Sequence, residues 1–329
     1  MLGGELEGVY DPRPGGFPFL HPPYVITLSA PLAPLGHRGA FGLLTLLALG
    51  ALAVSILALR RLSPRPGEHD VIWLAVLASA PWAIALVLGQ PIALFVAAYL
   101  VALACLRSDP PGRGPLVSGL AFSVLLLKPT FAIAPLALAL LRRDRRLLAG
   151  LAIGALALVL ASLPAGLHRW AEWSEAVLRA AGEVGAARVP LWKQHTWLAF
   201  LRSVLPAWAA WAGWAALLPL GGLALARARR ASPLRAGALL VLATLALSPY
   251  AYFYDALLLA VPGAAAWLER ERYGARARAA VAGVAALTFA WQHAGFFVLQ
   301  GRAPALGGLL ATAWLLIEAT RGCAPARTE

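Results

Sequence analysis

Apolar positions fill this chain in long unbroken runs, not in the alternating or one-in-three patterns of a soluble domain. Gly39–Leu59 and Val71–Leu88 each approach or exceed the roughly 18–20 residues that span a hydrocarbon core, and further runs follow them. The polar breaks carry arginine: Arg60, Arg61 and Arg65; Arg107 and Arg113; Arg142, Arg143, Arg145 and Arg146; Arg227 to Arg235; Arg270 to Arg278; and Arg321. Short basic breaks belong on the cytoplasmic side of a membrane. Clusters on one side must be separated by an even number of crossings. The pattern predicts an all-α polytopic transmembrane protein with about eleven membrane segments, its N-terminus outside and its C-terminus inside.

Parity also dictates local structure. Between Arg65 and Arg107, Val71–Leu88 goes out and Pro91–Leu106 returns, with Gly89 and Gln90 at the outer turn. Between Arg113 and Arg142 lies one stretch, Pro115–Leu141, broken by Lys128-Pro129-Thr130. Even parity makes it a hairpin, and proline supplies the break by removing a helix hydrogen bond and disfavouring helix at the preceding residue. Each arm of about 12 residues is roughly 18 Å long, too short for a ~30 Å core. The apex is therefore expected below the outer surface, in a cavity and not in lipid.

Leu147–Leu163 then goes out. In the polar stretch 164–196, Leu167, Trp170, Trp173, Val177 and Leu178 recur at helical spacing opposite Glu172, Glu175 and Arg179, as in an amphipathic interfacial helix. Pro206 separates a short Trp197–Leu205 helix from the crossing Ala207–Ala226. Ala236–Ser248, Ala251–Leu268, Ala279–Leu299 and Ala305–Ile317 complete the count. The chain reads as one transmembrane domain, 1–329, with an outer segment at 1–38 and an outer loop at 164–196.

Composition agrees: 60% of residues are apolar and 13% charged, about half the usual charged share. The net charge of +13 lies in scattered clusters without a contiguous basic face, which excludes nucleic acid as a partner. Cys105 in an apolar run and Cys323 in the tail argue against a disulfide. The Gly- and Pro-rich start, with Glu5, Glu7 and Asp11, is not a cleavable signal peptide.

Candidate chemistry is sparse and falls on the outer side. Only two of the 28 basic residues are lysines, Lys128 and Lys193. A lysine retained against so strong an arginine bias suits a compact point charge on phosphate; the bland alternative is a snorkelling helix-end lysine. Asp255, in Ser248-Pro-Tyr-Ala-Tyr-Phe-Tyr-Asp255, is either a functional intramembrane carboxylate or a helix N-terminal one favoured by the dipole. Tyr250 and Tyr254 beside it line a sugar site or belong to the aromatic belt. Gln90, Gln194 and His195 share that face. Spacing for a metal site, a phosphate loop or a nucleophile elbow is missing, so no metal or nucleotide cofactor is called for.

Taken in order, Val9-Tyr-Asp11-Pro12, His21-Pro-Pro-Tyr24, Gly89-Gln90, Lys128-Pro129, Lys193-Gln-His-Thr196 and Ser248-Pro249 leading to Tyr254-Asp255 resemble glycosyltransferase family 87. Its members are the polyprenyl-phosphate-mannose-dependent enzymes of the GT-C superfamily. The resemblance implies a GT-C-like fold in the plasma membrane with a periplasmic active site open to the bilayer. It implies a polyprenyl-phosphate-sugar donor carrying mannose or another hexose, a lipid or glycan acceptor, and inversion at the anomeric carbon. No cofactor is implied, because the lipid phosphate is the leaving group. Lys128 and Lys193 would hold the donor phosphate, and Gln90, Gln194, His195, Tyr250, Tyr254 and Asp255 would line the pocket. Relatives place the catalytic aspartate after a first membrane helix, upstream of the Tyr-Asp-Pro motif; here only Glu5 and Glu7 precede it. A missing first helix is therefore expected, and Asp11, the carboxylate inside the matched N-terminal motif, is the catalytic candidate. Glu5 or Glu7 as base, or an inactive copy, are the alternatives. A transporter or flippase, with paired broken helices in repeated halves, and a non-catalytic membrane subunit are the competing readings.

Overall fold

The computed structural model describes Tyr10 and residues 21–63, 67–107, 113–183, 191–299 and 306–320. Asp11 and the topology markers Arg65 and Arg321 lie outside the described residues. The elements are α1 (Pro23–Ser29), α2 (Gly36–Leu62), α3 (Glu68–Leu77), α4 (Ala80–Val87), α5 (Ile92–Arg107), α6 (Gly114–Ser123), α7 (Ile133–Arg142) and α8 (Arg145–Ser162). They continue with α9 (His168–Glu183), α10 (Trp197–Val204), α11 (Ala207–Ala215), α12 (Leu218–Ala228), α13 (Pro233–Leu247), α14 (Ala260–Leu268), α15 (Ala275–His293) and α16 (Leu306–Thr320). Short 3-10 turns join several of them. Among the described residues the strand-like pairing is a single antiparallel bridge, Gln194 to Tyr252. The chain is a polytopic helical membrane protein. Pro23–Leu62, Arg145–Ala165 and Ala207–Ala228 are each long and apolar enough to cross a bilayer.

The arginine clusters do gather at one end of the helices. The Arg107 guanidinium at the end of α5 donates to the Leu62 carbonyl at the end of α2. Arg142 Nη2 donates to the Ala228 carbonyl (3.0 Å) and Arg270 Nη2 meets Glu68 Oε1 (2.7 Å). Arg235 Nη2 donates to the Glu318 carbonyl (3.0 Å), while Tyr273 donates to Glu318 Oε1 (2.7 Å). These links also supply acceptors and donors for helix ends that would otherwise bury orphan backbone groups. In the middle, every residue of α13 from Leu234 to Ala246 is buried, whereas α2 and α8 expose Leu46, Leu57 and Leu156 as expected of lipid-facing helices.

The Pro115–Leu141 stretch breaks where the sequence predicts. α6 runs on as a 3-10 turn, Val124–Leu127, and stops at Lys128, whose φ of −134° and ψ of 87° are not helical. A second turn, Pro129–Phe131, leads into α7. The direction of the arms follows from packing. Gly119 of α6 sits against Gly150 of α8, and Ser123 against Gly154, so α6 and α8 are parallel. Since α8 starts at the arginine-rich end straight after α7, the segment 129–142 must return there. A Cβ on Gly150 would lie 2.9 Å from the Gly119 Cα; only small residues allow this approach, as in other close membrane helix pairs. Arg143 in the left-handed conformation (φ 53°) and Asp144, whose carboxylate accepts from Arg146 N (3.2 Å) and Leu147 N (3.1 Å), make the tight turn into α8.

Two expectations need correction. Val71–Leu88 is not one straight crossing: α3 and α4 are bent by 55°. Pro81 lacks the amide a continuous helix needs, and the Ser79 side chain caps the new helix by accepting from Trp82 N. The apolar side of α9 does not lie wholly outward either. Trp170 packs edge-on against Tyr24 (5.8 Å) and donates to Ser162 Oγ (2.9 Å), while Leu167 and Leu178 remain exposed. Trp173, buried Ala176, Tyr10 and Ile26 form a small separate cluster that fastens α9 to the N-terminal segment.

Candidate active site

The hairpin apex lies at the end of the bundle opposite the arginines, under the N-terminal segment. Its last carbonyls have no helical partner, because the chain turns away at Lys128. Tyr24 donates its hydroxyl to the Leu126 carbonyl, and His21 Nδ1 faces the Leu127 carbonyl at 3.3 Å. Tyr10 donates to the His21 carbonyl (3.0 Å), so the same segment is tied back to α9. Burial, working against that carbonyl contact, holds the His21 imidazole below its ordinary range and hence neutral.

From this apex Lys128 points inward. Its ammonium pairs with Asp255 Oδ2, and both side chains are almost wholly enclosed, with residue exposures of 7% and 1%. Burying one such ion alone costs several kcal/mol, so each is tolerable here only because the other is present. Asp255 Oδ2 also accepts from the Tyr252 amide (2.6 Å), at the start of the 3-10 turn Phe253–Leu259 that runs into α14. Around the ammonium stand four aromatic rings: Phe131 at 4.5 Å from its centroid, Tyr252 at 5.4 Å, Tyr254 at 5.6 Å and Tyr250 at 5.9 Å. Ring faces attract cations, and desolvation strengthens the attraction. The Lys128 ammonium thus faces rings on several sides and a carboxylate on one.

One wall comes from the segment before α10. Gln194 pairs with Tyr252 as the lone bridge, and the His195 amide donates to the Ala251 carbonyl (2.6 Å). The His195 ring meets Phe253 edge-on at 4.9 Å. Burial pushes its imidazole down to about 4, so it is neutral across the physiological range. Gln194 Oε1, His195 Nε2 and Thr130 Oγ1 are buried without a hydrogen-bond partner among the described residues. Buried polar atoms are rarely left so unless a ligand or water completes them. Glycine makes the wall possible: a Cβ on Gly307 or Gly308 of α16 would overlap the His195 ring or the Thr196 backbone.

Of the residues singled out in the sequence, Lys128, Tyr250, Tyr254 and Asp255 converge, with Gln194 and His195 held against the same turn. Gln90 is half-buried after α4, where Gly89 (φ 63°) allows its amide to reach the Ala85 carbonyl at 2.8 Å. No described contact joins its side chain to the Lys128–Asp255 pair. Lys193 is half-buried in the turn Leu191–Lys193, next to Gln194. Asp11 lies outside the described residues. Tyr252 and Phe131 were missed; the Tyr-x-Tyr-x-Tyr run and the aromatic three residues beyond Lys128 were their only marks. His21 and Tyr24 were visible as a motif but without a role.

No curated protein and no solved structure matches this chain. The model of glycosyltransferase family 87 matches residues 19–249, which take in the apex, Gln90 and the Gln194–His195 wall and stop just short of Asp255. That match covers more than two thirds of the sequence, and the chain belongs to glycosyltransferase family 87.

Proposed function

We propose that this chain moves a hexose, mannose first among them, from a polyprenyl-phosphate donor to a lipid or glycan acceptor. The site would face the periplasm from the plasma membrane, since the basic clusters mark the other face as cytoplasmic. The observation that carries the reading is the buried, caged ammonium of Lys128, the one lysine among the transmembrane helices. Phosphate oxygens would take the place beside it that Asp255 now holds. The freed carboxylate would turn to a sugar hydroxyl, and Gln194 and His195 would find partners in the same ligand.

The transfer is a displacement at the anomeric carbon. A carboxylate base, for which Asp11 is the candidate, takes the acceptor hydroxyl proton while the acceptor oxygen bonds to that carbon. The carbon–oxygen bond to phosphate breaks, its electron pair stays on the lipid phosphate, and Lys128 stabilises the charge there. Lys193, Tyr250, Tyr254 and Gln90 would complete the walls.

A second reading, a lipid transporter, draws on the broken α3–α4 span as a second interruption beside the 115–141 hairpin. The test is the purified chain in proteoliposomes with radiolabelled polyprenyl-phosphate-mannose and extracted membrane lipids. Label moving into an acceptor supports the transferase. Translocation of labelled donor across the bilayer without transfer would replace it by the transporter.

A further inference from the structure

Between α3, α14, α15 and α16 lies a cavity of about 250 Å³ lined by residues given no role above. Its long wall is the α14 side, from Ala256, the residue after Asp255, to Trp267 near the arginine-rich end. Those residues extend roughly 18 Å at 3-10 and helical rises. Opposite, α3 contributes Val71 at the Trp267 end, and Ser79, the cap of α4, stands at the Ala256 end. The 55° bend between α3 and α4 turns α4 onto the Phe253–Leu259 turn, while α3 packs against α14. Val71, Phe289 and Trp267 are between 40% and 48% exposed, so the crevice is open along its length to what surrounds the helices. Its lining is apolar apart from Ser79, Thr288 and the buried Gln292, and Ser79 and Gln292 sit at the Asp255 end. Gly263 leaves the floor open: a Cβ there meets nothing within 4 Å.

A crevice open to the bilayer core is filled by hydrocarbon, since its lining offers water few polar partners. We infer that it holds the isoprenoid chain of the donor lipid, laid along α14 with its phosphate beside Lys128 and its first units passing Gln292. The inference rests on the donor reading above and names where the chain binds. Adjacency in the chain is its basis: Ala256, which lines the crevice, directly follows Asp255, which holds the Lys128 ammonium.

Gly263→Leu projects a side chain into the crevice from a position whose Cβ meets nothing within 4 Å. Transfer is compared for a long-chain polyprenyl-phosphate-mannose and a short, water-soluble analogue. The variant is expected to raise KM for the long donor about tenfold or more, as lost chain burial requires, and to leave the short donor unchanged. That unchanged rate also shows that the variant is folded. Equal rates of wild type and variant on the long donor would overturn the inference. Separately, Phe289 replaced by benzoylphenylalanine should capture labelled polyprenyl phosphate, with unlabelled polyprenyl phosphate competing and bilayer phospholipid not. The same photoreactive residue at Leu156 on α8 should capture little. Equal capture at both sites, or equal competition by phospholipid, would reduce the crevice to an annular lipid groove. If wild type used neither donor, the transferase reading would fall, and the crosslink would still decide the crevice.

Discussion

The Lys128–Asp255 pair makes an asymmetric prediction about stability. Replacing Lys128 with Met leaves the Asp255 carboxylate 1% exposed, with the Tyr252 amide still donating to it. Breaking a buried pair in this way costs about 3–5 kcal/mol, and the upper part of that range is expected here. Replacing Asp255 with Asn leaves an ammonium still facing four rings, each worth about 0.5–2 kcal/mol depending on desolvation, and keeps an acceptor for Tyr252 N. Its expected cost is therefore smaller, about 2–3 kcal/mol. The double variant Lys128→Met/Asp255→Asn has no unpaired ion and should cost clearly less than the sum. A coupling energy of about 2 kcal/mol between the two positions follows. The assay is a denaturation series in detergent micelles followed by tryptophan fluorescence, with all four proteins at one pH. Additive single costs, or a more damaging Asp255→Asn than Lys128→Met, would refute the caged-pair account.

Further outcomes follow from the same geometry. Lys128→Arg keeps the charge, but a planar guanidinium does not fit a cage built around a point ammonium; transfer should fall at least about a hundredfold while expression is retained. Gly150→Val pushes α8 off α6 and should cost about 3 kcal/mol in the same melts, with loss of activity, whereas Gly222→Ala, with open space around its Cβ position, should be near neutral. His195 releases its proton at about 4 when folded and near 6.5 when unfolded, so the unfolded chain binds the proton first on acidification. Its contribution is whole above about pH 6.5 and falls by roughly 3 kcal/mol as the pH drops to about 4; His195→Gln should flatten that part of the stability profile. Tyr24→Phe removes the hydroxyl bonded to the Leu126 carbonyl and should lower kcat several-fold with little change in melting.

The hairpin was legible because basic clusters on both sides fixed its parity and a proline fixed its break. The 55° bend was not, since Val71–Leu88 is apolar enough and long enough to satisfy a single span, and Pro81 alone did not outweigh that. Lys128 and Asp255 were each visible as rare charges in apolar surroundings. Their pairing was not, because 127 residues separate them and no local periodicity links the apex to the turn before α14. The tyrosines read either as lining a sugar site or as an aromatic belt; only the fold shows Tyr250, Tyr252 and Tyr254 turned on one ammonium. The sequence likewise marked Trp170 and Trp173 as the apolar side of an amphipathic helix without a partner, and tertiary packing supplies Tyr24 and Tyr10.

The leaving-group role of Lys128 is tested most directly by single-turnover mannose transfer in proteoliposomes, wild type against Lys128→Met, with donor saturating. Loss of the cation should lower the transfer rate by about a thousandfold, even when bound donor is equal. A rate within tenfold of wild type would mean that the departing phosphate is stabilised elsewhere, and the caged ammonium would be left with a structural role alone.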